Sequence, residues 1–168
     1  MSLIQSRSFS PCAVARLSLL ACLALVGVVA AGGGAVPSPA IPAWYQGLNK
    51  PAWTPPNAAF PIAWTILYIL MALSLWRLWD KVAPSPARRS AIGLFLGQLA
   101  LNAVWSPVFF GLHAPVAGLA IIVALIIVLA LTLRAALPLD RAAGWLLVPY
   151  LAWVCYASTL NAAIVLLN

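Results

Sequence analysis

Five apolar runs, at about 13–34, 60–79, 88–111, 115–136 and 142–167, fill most of this 168-residue chain. Each is long enough to cross a bilayer, since about 20 apolar residues in a helix span about 30 Å of hydrocarbon. Runs of that length read as helices rather than strands. Only 7% of the residues are charged, against about 25% in a soluble domain. So few charges cannot cover a water-facing surface, and the mean hydropathy of +1.06 agrees. The expectation is an all-α membrane protein: a five-transmembrane-helix bundle, one domain over 1–168, set in a lipid bilayer with short connections.

The breaks between the runs support this division. The segment 36–59 holds Pro37, Pro39, Pro42, Pro51, Pro55 and Pro56, so it reads as a long extended loop. Pro61 and the pair Ser85-Pro86 stand where helices start, the serine as N-cap and each proline in a first turn. Gly111 to Pro115 reads as a tight turn. Asp140 reads as the cap of the fifth helix, where a carboxylate suits the positive end of the helix dipole.

Charge placement tests the same division. With five spans, Arg7, Arg16, Arg77, Lys81, Arg88, Arg89, Arg134 and Arg141 share one side, and only Lys50 lies on the other. Cytoplasmic loops carry the excess of Lys and Arg. The pattern predicts an inside N-terminus, an outside long loop, and a bacterial cell membrane. It also accounts for the net charge of +7, so no nucleic-acid partner is expected. One rival treats the first run as a cleaved signal peptide: Arg7 and Arg16, an apolar stretch from Leu17, then small residues from Ala30 to Ala35. The run is long enough to span, however, and no small-x-small site stands out. Cys12, Cys22 and Cys155 have no metal-ligand spacing and read as small hydrophobes.

Polar and aromatic side chains fall in stripes. On the third run Gln98, Asn102 and Ser106 recur at i, i+4 and i+8, on one face, with Trp105 beside them. The second run carries Trp64, Tyr68 and Met71, with Thr65 adjacent. The fifth carries Trp145, Pro149, Trp153 and Ala157, with Tyr156 and Asn161 nearby. The fourth is almost wholly aliphatic from Ile121 to Leu131 and is expected to shield the bundle from lipid. A lone amide in a span commonly bonds a neighbouring helix. Three helices offering such stripes favour a shared pocket, because polar groups in hydrocarbon face the bundle interior. Trp44, Tyr45, Trp53, Trp76 and Trp79 suit the membrane interfaces; Trp153, near mid-helix, does not. Pro107 and Pro149 each remove a backbone donor within a span. Gly93-Leu-Phe-Leu-Gly97 is a small-xxx-small pattern that seats either a second protomer or a neighbour in the same chain.

Conventional catalysis has no visible machinery. No carboxylate lies within a span, which disfavours proton-coupled antiport. His113 is the single histidine and sits in a loop. No nucleophile has a positioned base, and no glycine-rich loop could cradle a phosphate.

The loop and three of the helices carry a specific pattern. It begins Trp44-Tyr45-x-x-Leu48-x-Lys50-Pro51-x-Trp53-x-Pro55-Pro56, then Phe60-Pro61-x-x-Trp64-Thr65-x-x-Tyr68. It continues from Gly97-Gln98 through Asn102, Trp105-Ser106-Pro107 and Phe109-Phe110-Gly111, and then from Pro149-Tyr150 through Trp153, Tyr156-Ala157 and Leu160-Asn161. In order and spacing, over about 17–161, this resembles the tryptophan-rich sensory protein family, that of the translocator protein or peripheral-type benzodiazepine receptor. The resemblance implies five helices, a pocket beneath the first loop, and homodimers, with Gly93 and Gly97 as the candidate contact. It implies tetrapyrrole ligands such as protoporphyrin IX and haem, none of them an obligatory cofactor, and in relatives sterols and benzodiazepine-type drugs. It places Trp64, Asn102, Trp153 and Ala157 in the pocket, and pairs Trp64 with Trp153 in light-dependent porphyrin breakdown. Lys50 with Trp44, Tyr45 and Trp53 takes the position of a loop lid. The Tyr-x-Arg-type cholesterol motif of animal members has no counterpart before Asn168, so sterol binding is not expected.

The residues and the resemblance together name Trp64, Tyr68, Gln98, Asn102, Trp105, Trp153, Ala157 and Asn161 as ligand-binding candidates. Indole faces suit a flat apolar macrocycle, and the amides suit its polar edge. Breakdown driven by light would need only an absorbing porphyrin and an oxidisable indole, which fits the missing catalytic groups. Two other readings stay open: a transporter of porphyrins or other amphipathic solutes, and a membrane stress-response scaffold without chemistry.

Overall fold

The computed structural model describes residues 11–35 and 44–168, with first-helix side chains from Ala15 to Gly32. Five long helices account for most of them: α1 Pro11–Ala35, α2 Ala59–Asp80, α3 Pro86–Ser106, α4 Pro115–Ala136 and α5 Arg141–Leu167. Each coincides with one apolar run to within two residues at either end, once the π-turn Pro107–Gly111 that extends α3 is included. All five are long and apolar enough to cross a membrane. Arg7 and the loop prolines Pro37, Pro39 and Pro42 lie outside the described residues.

Contacts arrange the helices as a ring in the order α1, α2, α5, α4, α3 and back to α1. Membrane helices gain no hydrophobic drive against lipid, so shape and hydrogen bonds must hold the ring together. Leu67, Met71 and Leu75 of α2, Phe95 and Leu99 of α3, and Leu147 and Val154 of α5 meet in the core. The fourth helix, expected as a shield, keeps Val116, Val123, Ile127 and Leu131 exposed on its outer face and is a full wall as well. It packs between α3 and α5, and its inward stripe runs Gly118, Ile122, Leu125, Leu129, Thr132 and Ala136. Two glycines permit this closeness. A Cβ at Gly118 would stand 3.0 Å from the Phe109 ring and 3.1 Å from Asn161 Oδ1. A Cβ at Gly144 would stand 2.5 Å from Leu137 Cδ2.

The helix starts follow the expected chemistry. Ser85 Oγ accepts from the Arg88 backbone N–H at 3.1 Å, with Pro86 in the first turn. Asp140 accepts from the Ala143 N–H at 2.9 Å and pairs with Arg77 at 2.9 Å. Burial pushes the Asp140 carboxyl up, but hydrogen bonds from Arg77 and the helix N-terminus, with the Arg77 charge, outweigh it and hold it below its ordinary value. Asp80 takes Lys81 at 3.2 Å and a hydrogen bond from Ser18 Oγ at 3.3 Å. Both acids are therefore paired at one end of the bundle. That end also holds Arg16, Arg88, Arg89, Arg134 and Arg141, and is called the basic end below.

Candidate functional site

A cavity of about 600 Å³ occupies the half of the ring nearest the long loop. Its position follows from where the helices carry large rings and where they carry small or aliphatic residues. Trp64 and Tyr68 enter from α2, Asn102 and Trp105 from α3, Trp153, Ala157 and Asn161 from α5, and Ile122 and Leu125 from α4. The first helix supplies Leu23, Val26, Gly27 and Ala30.

The floor is a hydrogen-bonded bridge across three helices. Tyr68 donates its hydroxyl proton to Asn102 Oδ1 at 2.9 Å, and Asn102 Nδ2 donates to the Tyr150 hydroxyl at 2.9 Å. Trp64 stacks on Tyr68 with centroids 5.3 Å apart and meets Tyr150 edge-on at 6.1 Å. Such aromatic pairs contribute about 0.5–1.5 kcal/mol each beyond burial. One side chain thus satisfies two phenols in a setting where an unpaired polar group is costly.

The upper wall is aromatic because of the π-turn. After Pro107, which lacks an N–H, the chain closes wider bonds: Leu112 N–H to Pro107 C=O at 3.0 Å and Ala114 N–H to Val108 C=O at 3.3 Å. Such π-turns recur at functional sites. The wider turn lets Trp105 stack on Phe109 at 5.0 Å, with Phe110 edge-on to Phe109 at 4.9 Å. Trp105 Nε1 donates to Asn161 Oδ1 at 3.3 Å, and Asn161 Nδ2 donates to the Pro115 carbonyl at 2.8 Å. His113, which closes the turn, has a positive φ of 51°.

The loop covers this wall. A short helical turn over 44–47 brings Tyr45 into the cavity lining, and burial pushes its phenol pKa up. Trp44 stacks on His113 at 4.5 Å and meets Phe109 edge-on at 5.7 Å. Two straps pin the loop to α5. The Tyr156 hydroxyl donates to the Trp53 carbonyl at 2.7 Å. Asn49 and Asn168 exchange bonds: Asn49 N–H to Asn168 Oδ1 at 2.9 Å, and Asn168 Nδ2 to the Asn49 carbonyl at 3.1 Å.

The structure brings seven of the eight ligand-binding candidates to the cavity: Trp64, Tyr68, Asn102, Trp105, Trp153, Ala157 and Asn161. The exception is Gln98. It lies one turn from Asn102 toward the basic end, fully buried beneath the floor, and neither its Oε1 nor its Nε2 has a partner. The Tyr68–Asn102–Tyr150 bridge separates it from the cavity. Of the lid residues, Tyr45 alone lines the space. Lys50 donates to the Gln46 and Leu48 carbonyls, each at 3.2 Å, and sits over the outer face of Tyr45 at 4.8 Å. Trp53 is exposed and serves through its carbonyl. Gly93 and Gly97 lie on the outer face of α3, away from the cavity; a Cβ at Gly93 would meet nothing within 4 Å. The fifth-helix stripe splits: Trp153 and Ala157 face the cavity, while Trp145 and Pro149 are exposed. Steps of four residues drift around a helix of 3.6 residues per turn, so a long i+4 stripe leaves one face for another.

Sequence reading missed the α1 wall, Phe60, the Phe109–Phe110 pair and Tyr150. A phenol near mid-span needs a partner, and that signal could have found Tyr150. The α1 aliphatics gave none, because lipid and an apolar cavity select the same residue types.

A sequence profile of the TspO/MBR family matches residues 18–167, from the first third of α1 to the end of α5. The Tryptophan-rich protein TspO of Archaeoglobus fulgidus is 41% identical over 152 residues, covering 90% of this chain and 97% of that protein. The Tryptophan-rich sensory protein of Cereibacter sphaeroides is 42% identical over 125 residues, covering 74% and 77%. The human Translocator protein is 37% identical over 121 residues, covering 70% of each. With five apolar helices closed in a ring and the match spanning all of them, this chain is an integral multi-pass membrane protein of the TspO/MBR family.

Proposed function

We propose that the cavity binds a flat tetrapyrrole, protoporphyrin IX above all, for sensing, carriage or light-dependent breakdown. The observation that carries this reading is the lining: indole and phenol faces from Trp64, Tyr68, Trp105 and Trp153 around about 600 Å³, well inside the usual range of small-molecule sites. Aromatic faces hold a macrocycle by stacking. The few polar groups, among them Thr65, Asn102 and Asn161, are already bonded within the chain and set fixed dipoles around its edge. Among the described residues no Asp, Glu, Lys or Arg lines the space, so the charged propionates would emerge toward the loop, on the side of Lys50. Among the described residues the lining offers no His, Cys or Met to an axial position, and the Tyr68 hydroxyl is committed to Asn102. That favours the metal-free ring over haem, for which Tyr45 would be the remaining axial candidate.

Saturable quenching of tryptophan fluorescence by protoporphyrin IX tests the reading. The expected result is quenching weakened by Trp153→Ala, then light-driven loss of porphyrin absorbance that Trp64→Phe and Trp153→Phe each slow while binding persists. Quenching no greater than that of detergent alone would discard the tetrapyrrole ligand. A transporter is the second reading, favoured by the orphaned Gln98 amide below the floor, which extends the polar stripe toward the basic end. Accelerated porphyrin flux in sealed vesicles distinguishes it from binding alone. The proposal places the N-terminus inside a bacterial cell membrane and pairs two protomers through Gly93 and Gly97. A scaffold without chemistry, the third reading, would make those glycines matter more than the cavity.

A further inference from the structure

The cavity has a floor below and a cover above, the cover leaving one exposed lining residue, Asn57, among the described loop residues. Its floor is the Tyr68–Asn102–Tyr150 bridge, and over it the loop is strapped to α5 by Tyr156 and by the Asn49–Asn168 pair. Its flank is different. Five lining residues on two neighbouring helices are also exposed: Leu23 and Gly27 on α1, and Pro61, Thr65 and Ile69 on α2. Leu23 is 37% exposed and Ile69 48%. They recur at i, i+4 on α1 and at i, i+4, i+8 on α2, so each set forms one edge. A residue that both lines a cavity and meets the surroundings marks an opening, and here the surroundings at that depth are hydrocarbon.

The fastening of α1 to α2 explains why the opening lies there. Among the described residues, the side-chain hydrogen bonds between them are at the basic end: Trp76 Nε1 to the Ala15 carbonyl at 3.2 Å, and Ser18 Oγ to Asp80 at 3.3 Å. Toward the loop the two helices meet through apolar contact only. A Cβ at Gly27 would touch nothing within 4 Å, so the α1 edge is held back from the gap. Thr65 spends its hydroxyl on the Pro61 carbonyl at 2.8 Å and so presents its methyl. No polar group at the edge needs to be stripped of water when an apolar molecule passes.

We propose that this gap is a lateral portal, through which ligand dissolved in the loop-side leaflet enters the cavity without passing through water. The portal admits flat or narrow apolar molecules and is independent of the tetrapyrrole reading. The test is stopped-flow binding of protoporphyrin IX, pre-dissolved in phosphatidylcholine vesicles that hold the full-length protein. Gly27→Phe and Thr65→Phe, which fill the gap from opposite edges, should each slow association and dissociation together by roughly tenfold. Ile69→Ala should speed both, and Tyr156→Phe, which releases a loop strap, should change neither. Faster binding in Tyr156→Phe with unchanged rates in the two Phe variants would place the route under the loop and overturn the portal. If the wild type shows no saturable porphyrin binding, the tetrapyrrole ligand falls. The portal is then judged with brominated phosphatidylcholine, which quenches indoles that its acyl chains touch. Quenching of Trp64 and Trp153, assigned by their Phe variants and removed by Gly27→Phe, would uphold it. Equal quenching with and without that variant would sink it.

Discussion

Gln98→Leu should make this protein more stable, against the usual outcome for core substitutions. The Gln98 side chain is fully buried, with neither its amide oxygen nor its amide nitrogen hydrogen-bonded. A buried unsatisfied group costs about 1–3 kcal/mol. Two such groups on one side chain set an upper bound of about 6 kcal/mol. The gain must be discounted, because an unfolded chain in a membrane also finds partners for its amides and measured interhelical bonds average about 0.6 kcal/mol. Leucine has similar volume, and volume-conserving swaps cost less than about 1.5 kcal/mol. The balance is a stabilisation of about 2 kcal/mol. Thermal unfolding in mild detergent, followed by circular dichroism, should show a midpoint higher by about 4–8 °C. Asn102→Leu, one turn away, supplies the contrast. It breaks both bonds of the bridge and leaves two phenols unpaired, so it should cost about 2–3 kcal/mol. Substitutions of like shape on one helix face should thus act in opposite directions. A Gln98→Leu protein less stable than wild type by 1 kcal/mol or more, taken as about the size of one net hydrogen bond, would refute the reasoning and give the amide a partner in the native membrane.

Asp140 sets an acid limit. Its carboxyl titrates below its ordinary value of 3.8 in the folded protein, so its contribution is present above that pH and lost as pH falls through the depressed folded value. Because the pair lies at a solvent-screened bundle end, Asp140→Asn should cost about 1 kcal/mol at pH 7, and the gap should close as pH falls below the ordinary 3.8 and through the depressed folded value; an unchanged gap at low pH would contradict the assignment. Haem added to the protein should give no low-spin histidine-ligated spectrum, since His113 stacks on Trp44 rather than lining the cavity; a His113→Ala-sensitive low-spin signal would overturn that placement. Gly93→Leu should lower the dimer fraction in crosslinking while leaving the fold intact, because a Cβ there meets nothing within 4 Å, and Gly97→Ala should do so more weakly, its Cβ standing 3.8 Å from Val128 Cγ1; an unaltered dimer fraction would remove α3 as the contact. Gly118→Ala should weaken porphyrin quenching, since its methyl presses on Phe109 and Asn161, both cavity residues; unchanged quenching would show that those side chains yield freely.

The architecture was legible because its causes are local and one-dimensional. Span length, proline placement and the caps at Ser85 and Asp140 each follow from residues adjacent in sequence. The cavity was partly legible, because Asn102, Trp64 and Trp153 are expensive or misplaced anywhere but in a bundle interior. The remainder depends on which helices become neighbours, and no periodicity encodes that. The aliphatic fourth run looked like a shield, since nothing in Ile121 to Leu131 distinguishes a face packed against α3 and α5 from one packed against lipid. Gln98 looked equivalent to Asn102 at one turn's distance. Only the partners differ: Tyr68 and Tyr150 reach Asn102 and stop above Gln98. Their convergence is a three-helix fact, invisible on α3 alone.

The separation of polar from apolar work along the bundle constrains what the protein does more than any single residue. At the basic end both acids are paired; the Arg77–Asp140 ion pair ties α2 to the start of α5, and hydrogen bonds from Trp76 and Ser18 tie α1 to α2. At the loop end the ring holds a cavity lined, among the described residues, by no Asp, Glu, Lys or Arg and fastened by neutral hydrogen bonds. With phenols as the only titratable groups in its described lining, the site draws its selectivity from shape, stacking and a few fixed dipoles. Stacking tolerates any flat ring; the bridge is selective, because each amide and phenol on it is already committed. A ligand that reaches the floor must therefore either leave Asn102 paired or replace what it takes. Affinity should then fall steeply for molecules thick enough to press on Tyr68, and only weakly for those that differ at the rim beneath Tyr45.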